Sequence, residues 1–178
     1  MKKMMVVAIL ILGGVAFASS LSVPWFVDNA PANTFYPPRA GGIQGIVYLH
    51  NNQTSDLTCS IEYFTSSGFT MGPAAPENTF VIKASATLAF RPVANDPVGT
   101  ATPGGQENVS AGWLVPNKPT VGTDVIPDGT GTKTNGSCVV RWMGVSTDVQ
   151  GIMVQTFNID NSASGRLLQY GTLLPPGA

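Results

Sequence analysis

The chain has 178 residues, nine basic and ten acidic side chains and a formal net charge of −1, and its charged fraction is 11%, against about 25% in ordinary soluble domains. That balance offers no basic footprint for nucleic acid and no polybasic patch for anionic lipid. Twenty glycines and 14 prolines suit short strands and many turns, with polarity supplied by Ser, Thr, Asn and Gln.

Residues 1–18 read as a signal peptide. Lys2 and Lys3 give a positive start, Met4 to Val15 an apolar run, and Ala16-Phe17-Ala18 the small-x-small pattern of a cleavage site. The alternative is a retained membrane anchor, but the run is short of the roughly 20 residues a spanning helix needs, and Gly13-Gly14 weakens it. Cleavage leaves residues 19–178, the size of a single domain, with seven basic residues against ten acidic ones. The expected location is extracellular or periplasmic, and the Lys-Lys start suits a bacterial source.

Leu21 to Asp28 is the first strand, and Pro24 makes it an edge or a bulged one. Asn29 to Gly42 is a Pro- and Gly-rich linker. Ile43 to His50 and Leu57 to Thr65 follow, read as hairpin partners across the turn-forming Asn51 to Asp56. Glu77 to Lys83 and Thr87 to Arg91 are two further short strands, with Pro73 and Pro76 breaking the chain before them. Long polar loops at 92–106 and 117–135 flank a strand over Val109 to Val115.

Ser137–Val145 and Val149–Ile159 then alternate with period two around Ser146-Thr147-Asp148 and read as a second antiparallel hairpin. In the first, Cys138, Val140 and Trp142 share one face, with Val139, Arg141 and Met143 on the other. In the second, Ile152 and Val154 share a face with Gln150, Thr156 and Asn158. Arg166 to Leu174 is the last strand, and Pro175 to Ala178 a frayed tail. No amphipathic helix is legible after the leader. Turn signals every 8 to 12 residues mark an all-β antiparallel sandwich, immunoglobulin-like or jelly-roll-like.

Cys59 and Cys138 are the two cysteines, and export places them where disulfides persist. A Cys59–Cys138 bridge closing 79 positions would stabilise by about 4.5 kcal/mol in the chain-entropy model. Two buried free thiols are the alternative, and two cysteines are too few for an ordinary zinc or copper site.

No catalytic signature emerges, and no cofactor is expected. His50 is the single histidine and no Gly-x-Ser-x-Gly elbow accompanies it; it reads as a polar residue at a strand end. Glu62, Glu77, Glu107 and Asp148 are scattered acids without a substrate-stacking aromatic cluster. Asp124 and Asp128, with Gly129, Gly131 and Asn135, make a weak calcium candidate whose spacing departs from the EF-hand loop. Trp25, Trp113 and Trp142 each fall in a strand, where core packing is the default.

The runs VYLHNN, LTCSIEYFTSSGFTMGP, NTFVIKA and NGSCVVRWMGVSTDVQGIMVQTF resemble uncharacterised secreted bacterial β-sandwich surface proteins with an immunoglobulin-like layout, through Tyr63, Gly68, Gly136-Ser137 and Val140. The resemblance implies export and a sandwich. The insertions at 92–106 and 117–135 depart from it, and Trp142 follows the second cysteine instead of lying between the two, unlike antibody domains.

Low charge and abundant Ser, Thr and Asn point to an exported, non-enzymatic structural or adhesive surface protein, a subunit of an extracellular assembly whose partners are other protein subunits or cell-surface components. The alternative is a secreted module that binds carbohydrate or a small ligand. An exposed long edge strand separates the first reading from the second, and a concave surface with exposed Trp the reverse. Both terminal strands, Leu21–Asp28 and Arg166–Leu174, are apolar enough to seek a partner edge. The linker Asn29 to Gly42 is long enough to carry the first onto a neighbouring subunit, unless it folds back on its own domain.

Overall fold

A computed structural model describes residues 18–30, 42–93, 96, 114–119, 135–160 and 166–177. All of the expected leader but Ala18, most of the strand expected at 109–115 and of the loops at 92–106 and 117–135, Trp113, Glu107 and the calcium candidates Asp124 and Asp128 lie outside them; Leu114 and Val115, at the end of the expected strand, are not in one. The described residues form ten strands and no helix: β1 Ala18–Val27, β2 Gly42–Asn51, β3 Leu57–Phe64, β4 Thr70–Gly72, β5 Thr79–Ile82, β6 Thr87–Phe90, β7 Asn135–Met143, β8 Val149–Asn158, β9 Leu167–Leu174 and β10 Pro176–Gly177. They build two antiparallel sheets. One runs β10-β1-β7-β3-β4, with β5 also on β3, and the other runs β6-β2-β8-β9. Among the described residues no helix is long and apolar enough to cross a membrane.

Period-two patterning decides which side chains are buried. Cys138, Val140 and Trp142 on β7, Cys59, Ile61 and Tyr63 on β3, and Leu21 and Val23 on β1 face the core. Val47 and Leu49 of β2, Leu88 and Phe90 of β6, and Val149 and Met153 of β8 meet them from the other sheet. Alternation places one set per strand on the inner side, and burial of that set is the main driving force. Phe26 meets Tyr63 edge to face, with ring centroids 6.2 Å apart.

Both expected hairpins are corrected. The β2–β3 and β7–β8 links join strands of different sheets, so β2 pairs with β6 and β8, and β7 with β1 and β3. A short polar link between two half-buried strands is satisfied equally by a hairpin or by a crossing between layers. Here the crossing wins, because each strand then has neighbours on both sides. The two crossings lie side by side. Asn52 N–H donates to Asp148 O at 2.8 Å, Asn52 Nδ2 to Thr147 O at 2.8 Å, and Gln53 Nε2 to Asp148 Oδ1 at 2.7 Å. Trp142 Nε1 donates to Val145 O at 3.0 Å, and Val145 N–H to Asp148 Oδ2 at 2.8 Å, fixing the β7–β8 corner.

The first strand is not given away to a neighbour. β1 is internal, paired with β7 along most of its length and with β10 at Ser20 and Leu21, and Leu21, Val23 and Phe26 are fully buried. Its register shifts between Val23 and Phe26, the bulge that Pro24 requires. Pro176-Gly177, expected to fray, forms the β10 pairing.

Beyond β1 the chain changes sheet. Asn29 and Ala30 N–H both donate to Ile43 O, and Gly45 N–H donates to Asp28 Oδ2 at 3.1 Å, so this segment edges β2 where β6 has ended. Arg91, just past β6, locks the corner: its Nε and Nη2 bind the Asp28 carboxylate, and Nη2 also donates to Ala30 O at 3.1 Å. Both side chains of this ion pair are removed from solvent.

The expected Cys59–Cys138 disulfide does not form. Along the β3–β7 ladder Cys59 lies opposite Trp142 and Cys138 opposite Tyr63. The thiols are therefore four residues apart, about 13 Å at the rise of a strand, whereas a disulfide holds its Cα atoms within about 7 Å. Shared parity put both on the core face but said nothing of their spacing along it. Both are free and buried, and burial pushes the Cys59 thiol up to about 12 and Cys138 higher.

Candidate functional site

The strand β9 has an unusual position. It pairs with β8 over its whole length, from Asn158 opposite Leu167 to Gly151 opposite Leu174, and among the described residues no strand follows it in the sheet. Its sequence, LLQYGTLL, carries no charge and no proline, two of the devices by which sheet edges are blunted. Seven of its eight residues are exposed, and Leu174 alone is buried. Leu167 is 44% exposed, Leu168 and Tyr170 57%, and Leu173 67%.

The exposure involves both faces. Leu168, Tyr170, Thr172 and Leu174 lie opposite Phe157, Gln155, Met153 and Gly151, the parity of β8 that carries the core residues Val149 and Met153. They point towards the other sheet, yet only Leu174 has cover there: a Cβ built on Gly151 would lie 2.8 Å from Leu21 and 3.2 Å from Leu174, so the three sites are in close packing. Past that end β9 overhangs. The Tyr170 hydroxyl donates to Gln155 Oε1, which holds its ring across β8. On the outer face Leu173 sits beside Ile152 and Leu167 beside Asn158.

Where β9 begins, Arg166 and Asp160 close the β8–β9 link. Arg166 Nε and Nη2 donate to the two Asp160 oxygens at 3.1 and 3.0 Å, and Arg166 N–H to Oδ2 at 2.9 Å. These bonds hold the Asp160 carboxyl below the usual carboxylate range. At the other end, beside the paired crossings, a cleft of about 400 Å³ is lined by Asn52, Ser146, Thr147, Gln150, Leu173 and Pro175, among others. A smaller one of about 230 Å³ adjoins it on the outer face, between Tyr48, His50, Thr87, Gln150, Ile152 and Leu173. His50 Nδ1 lies 3.0 Å from Thr87 Oγ1.

The residues weighed for chemistry are not gathered. Glu62 pairs with Arg141 at 2.6 Å across β3 and β7, Asp148 is tied up in the β7–β8 corner, and Glu77 is exposed in the β4–β5 link. Among the described residues no group of three His, Cys, Asp or Glu could hold a metal. Trp142 is buried in the core, while Trp25 is 47% exposed at the β1 bulge, in the opposite sheet from both clefts. Sequence reasoning marked the last strand as apolar and partner-seeking but not the two-sided overhang. The signal was there in LLQYGTLL, since an uncharged strand with leucines on both parities has no face suited to water.

Among the described residues the arrangement defines a two-layer all-β protein that ends one sheet on a long, uncharged, largely exposed strand and assembles no catalytic group. No family model, curated protein sequence or solved structure matches the chain.

Proposed function

We propose that the chain is an exported, non-enzymatic structural or adhesive surface protein that works as a subunit of an extracellular assembly, with an immunoglobulin-like sandwich as its body. The observation that carries the reading is β9: the last strand of its sheet among the described residues, with seven exposed residues, leucines on both faces and no gatekeeping charge. An edge of this kind is a template for pairing with another chain. The adjacent crossings between layers support the immunoglobulin-like layout, in which strands of the two sheets interleave. The leader-like residues 1–18 support export.

Fractionating cells that express the full chain tests the reading. The protein should appear outside the cytoplasmic membrane, begin at Ser19, and run in material larger than one chain. A cytoplasmic, unprocessed monomer would refute it. The adjoining clefts beside Gln150 and Leu173 favour a second reading, a secreted module for carbohydrate or a small ligand. That reading requires saturable binding abolished by changes at Tyr48 or Gln150.

A further inference from the structure

Resting on the export reading, we infer that folding closes the processing site: the leader can be cut only while the chain is unfolded, so cleavage after Ala18 has to precede the pairing of β1 with β7. The bond that the leader pattern marks, Ala18–Ser19, lies inside β1. Ala18 is opposite Met143 and Ser19 opposite Trp142. From Ser20 onward the other edge of the strand is taken as well, by Gly177 and Pro176 of β10.

A peptidase that removes a leader needs the residues on both sides of the bond extended and free to pair with its own cleft. Here they are extended but already paired. Fraying of Ala18 alone does not release the bond, because Ser19 is only 8% exposed and its hydroxyl donates to Gly144 O at 2.8 Å. Two residues further on, Leu21 is fully buried. A Cβ built on Gly151 would lie 2.8 Å from Leu21 Cδ1, so this leucine is seated against β8 of the other sheet. Presenting the bond to an enzyme therefore means peeling Ser19 to Leu21 away from β7 and β10, which carries a core leucine into water. Cleavage of the native chain then follows the small population of that open form.

The order of the elements leaves time for the cut. Among the described residues β7 and β10 are the ladder partners of β1, and both come late in the chain: 125 positions separate Ser19 from Gly144. A chain that crosses a membrane from its N-terminus thus emerges with β1 unpaired until β7 follows. Pairing over such a separation is slow even then, since a long loop must close before the contacts form. Two fates follow. A chain cut in this interval folds with Ser19 as the first residue of β1. A chain that folds first, as the pairing of Ala18 with Met143 allows, keeps its leader and stays attached through it. The fold therefore demands export of an unfolded chain, because a route that carries folded proteins would leave the leader uncut.

The test sets the full 178-residue chain against a purified bacterial leader peptidase in mild detergent, with initial rates and products read by mass spectrometry. One sample is diluted from urea directly into the enzyme, and the other is refolded beforehand. The unfolded sample should yield a chain that begins at Ser19, and the refolded one should be cut slower by roughly 100-fold or more. A variant with Gly-Ser-Gly-Ser inserted between Ala18 and Ser19 moves the bond off the ladder. After refolding it should be cut within about threefold of its own unfolded rate, because the bond no longer waits on opening. Equal rates for the refolded and unfolded parent chain would overturn the ordering while leaving export standing. A refolded spacer variant as resistant as the refolded parent would also overturn it, since pairing of β1 would not be what protects the bond. An unfolded parent chain left uncut would overturn the leader reading on which the inference rests.

Discussion

Replacing Arg91 by methionine should be among the most damaging single changes in this protein. The guanidinium donates to both oxygens of Asp28, with Nε at 2.9 Å from Oδ2, and to Ala30 O at 3.1 Å. Neither partner of the pair sees solvent. Methionine fills much of the volume but leaves Asp28 buried with only the backbone N–H groups of Gly45 and Ala30 as donors. Breaking a buried pair from one side costs about 3–5 kcal/mol, a large part of the roughly 5–15 kcal/mol by which a domain is stable. At about 2–4 °C per kcal/mol for a chain of this size, Tm should fall by roughly 10 °C. The loss has a pH signature. Burial already raises the Asp28 carboxyl above its ordinary value, with Arg91 opposing the rise, and removing Arg91 raises it further. A raised folded-state pKa means that the native chain holds a proton which the unfolded chain has released. The variant is therefore least impaired below the raised Asp28 value of the unsubstituted protein, and its deficit grows as pH rises from there to its own still higher value, at up to about 1.4 kcal/mol per unit. Urea unfolding of both proteins at pH 4 and pH 7 measures this. Arg91→Met combined with Asp28→Leu should recover most of the deficit, since no buried charge remains. A loss under about 1 kcal/mol, or a deficit that does not change with pH, would refute the reasoning.

Four further outcomes are expected. Cys59 and Cys138 should resist a thiol reagent at pH 8 in the native protein and yield two thiols per chain once it is unfolded; fewer than two would show a bridge that the β3–β7 register forbids. Gly136→Ala should cost at least 2 kcal/mol in urea unfolding, because φ there is +154° and an added Cβ would lie 2.5 Å from Phe64 O. Asp160 should titrate below the ordinary carboxylate range in a carboxyl-resolved NMR titration. Its depressed pKa stabilises the native β8–β9 link above the ordinary value and ceases to do so as pH falls through the lowered one, and Arg166→Gln should bring it part of the way back, because the backbone N–H bond at 166 remains. His50→Ala should leave both assembly and stability nearly unchanged, within about 0.5 kcal/mol, since its described side-chain bond is the exposed one to Thr87.

The strands were largely legible because half-buried strands write their burial into a period of two. Cys138, Val140 and Trp142 were set on one face from the sequence and are buried together in the structure. Pro24 announced the bulge in β1. Sheet membership was not legible, because alternation says which face of a strand is apolar and not which neighbour it pairs with. The link Ser146-Thr147-Asp148 looks like a turn whether the next strand returns beside β7 or crosses to the other layer. The cysteines failed for a related reason: parity gives the face, while the distance between Cys59 and Cys138 depends on a register set by long-range pairing. The Asp28–Arg91 pair was invisible because 63 positions separate its members and neither lies in a motif. Of the candidate site, the apolar character of β9 could be read directly. Its overhang depended on where the opposite sheet stops, which no local pattern records.

The central claim is that β9 is the assembling edge, and sedimentation equilibrium of the purified exported protein tests it most directly. From low to high micromolar concentration the unsubstituted chain should pass from the mass of one chain to multiples of it. Leu173→Lys places a charge on the outer face of that edge, where the side chain is already mostly exposed, and should remain monomeric at every concentration with an unchanged urea midpoint. A single-chain mass for the unsubstituted protein throughout, or a multimer that Leu173→Lys leaves intact, would contradict the claim.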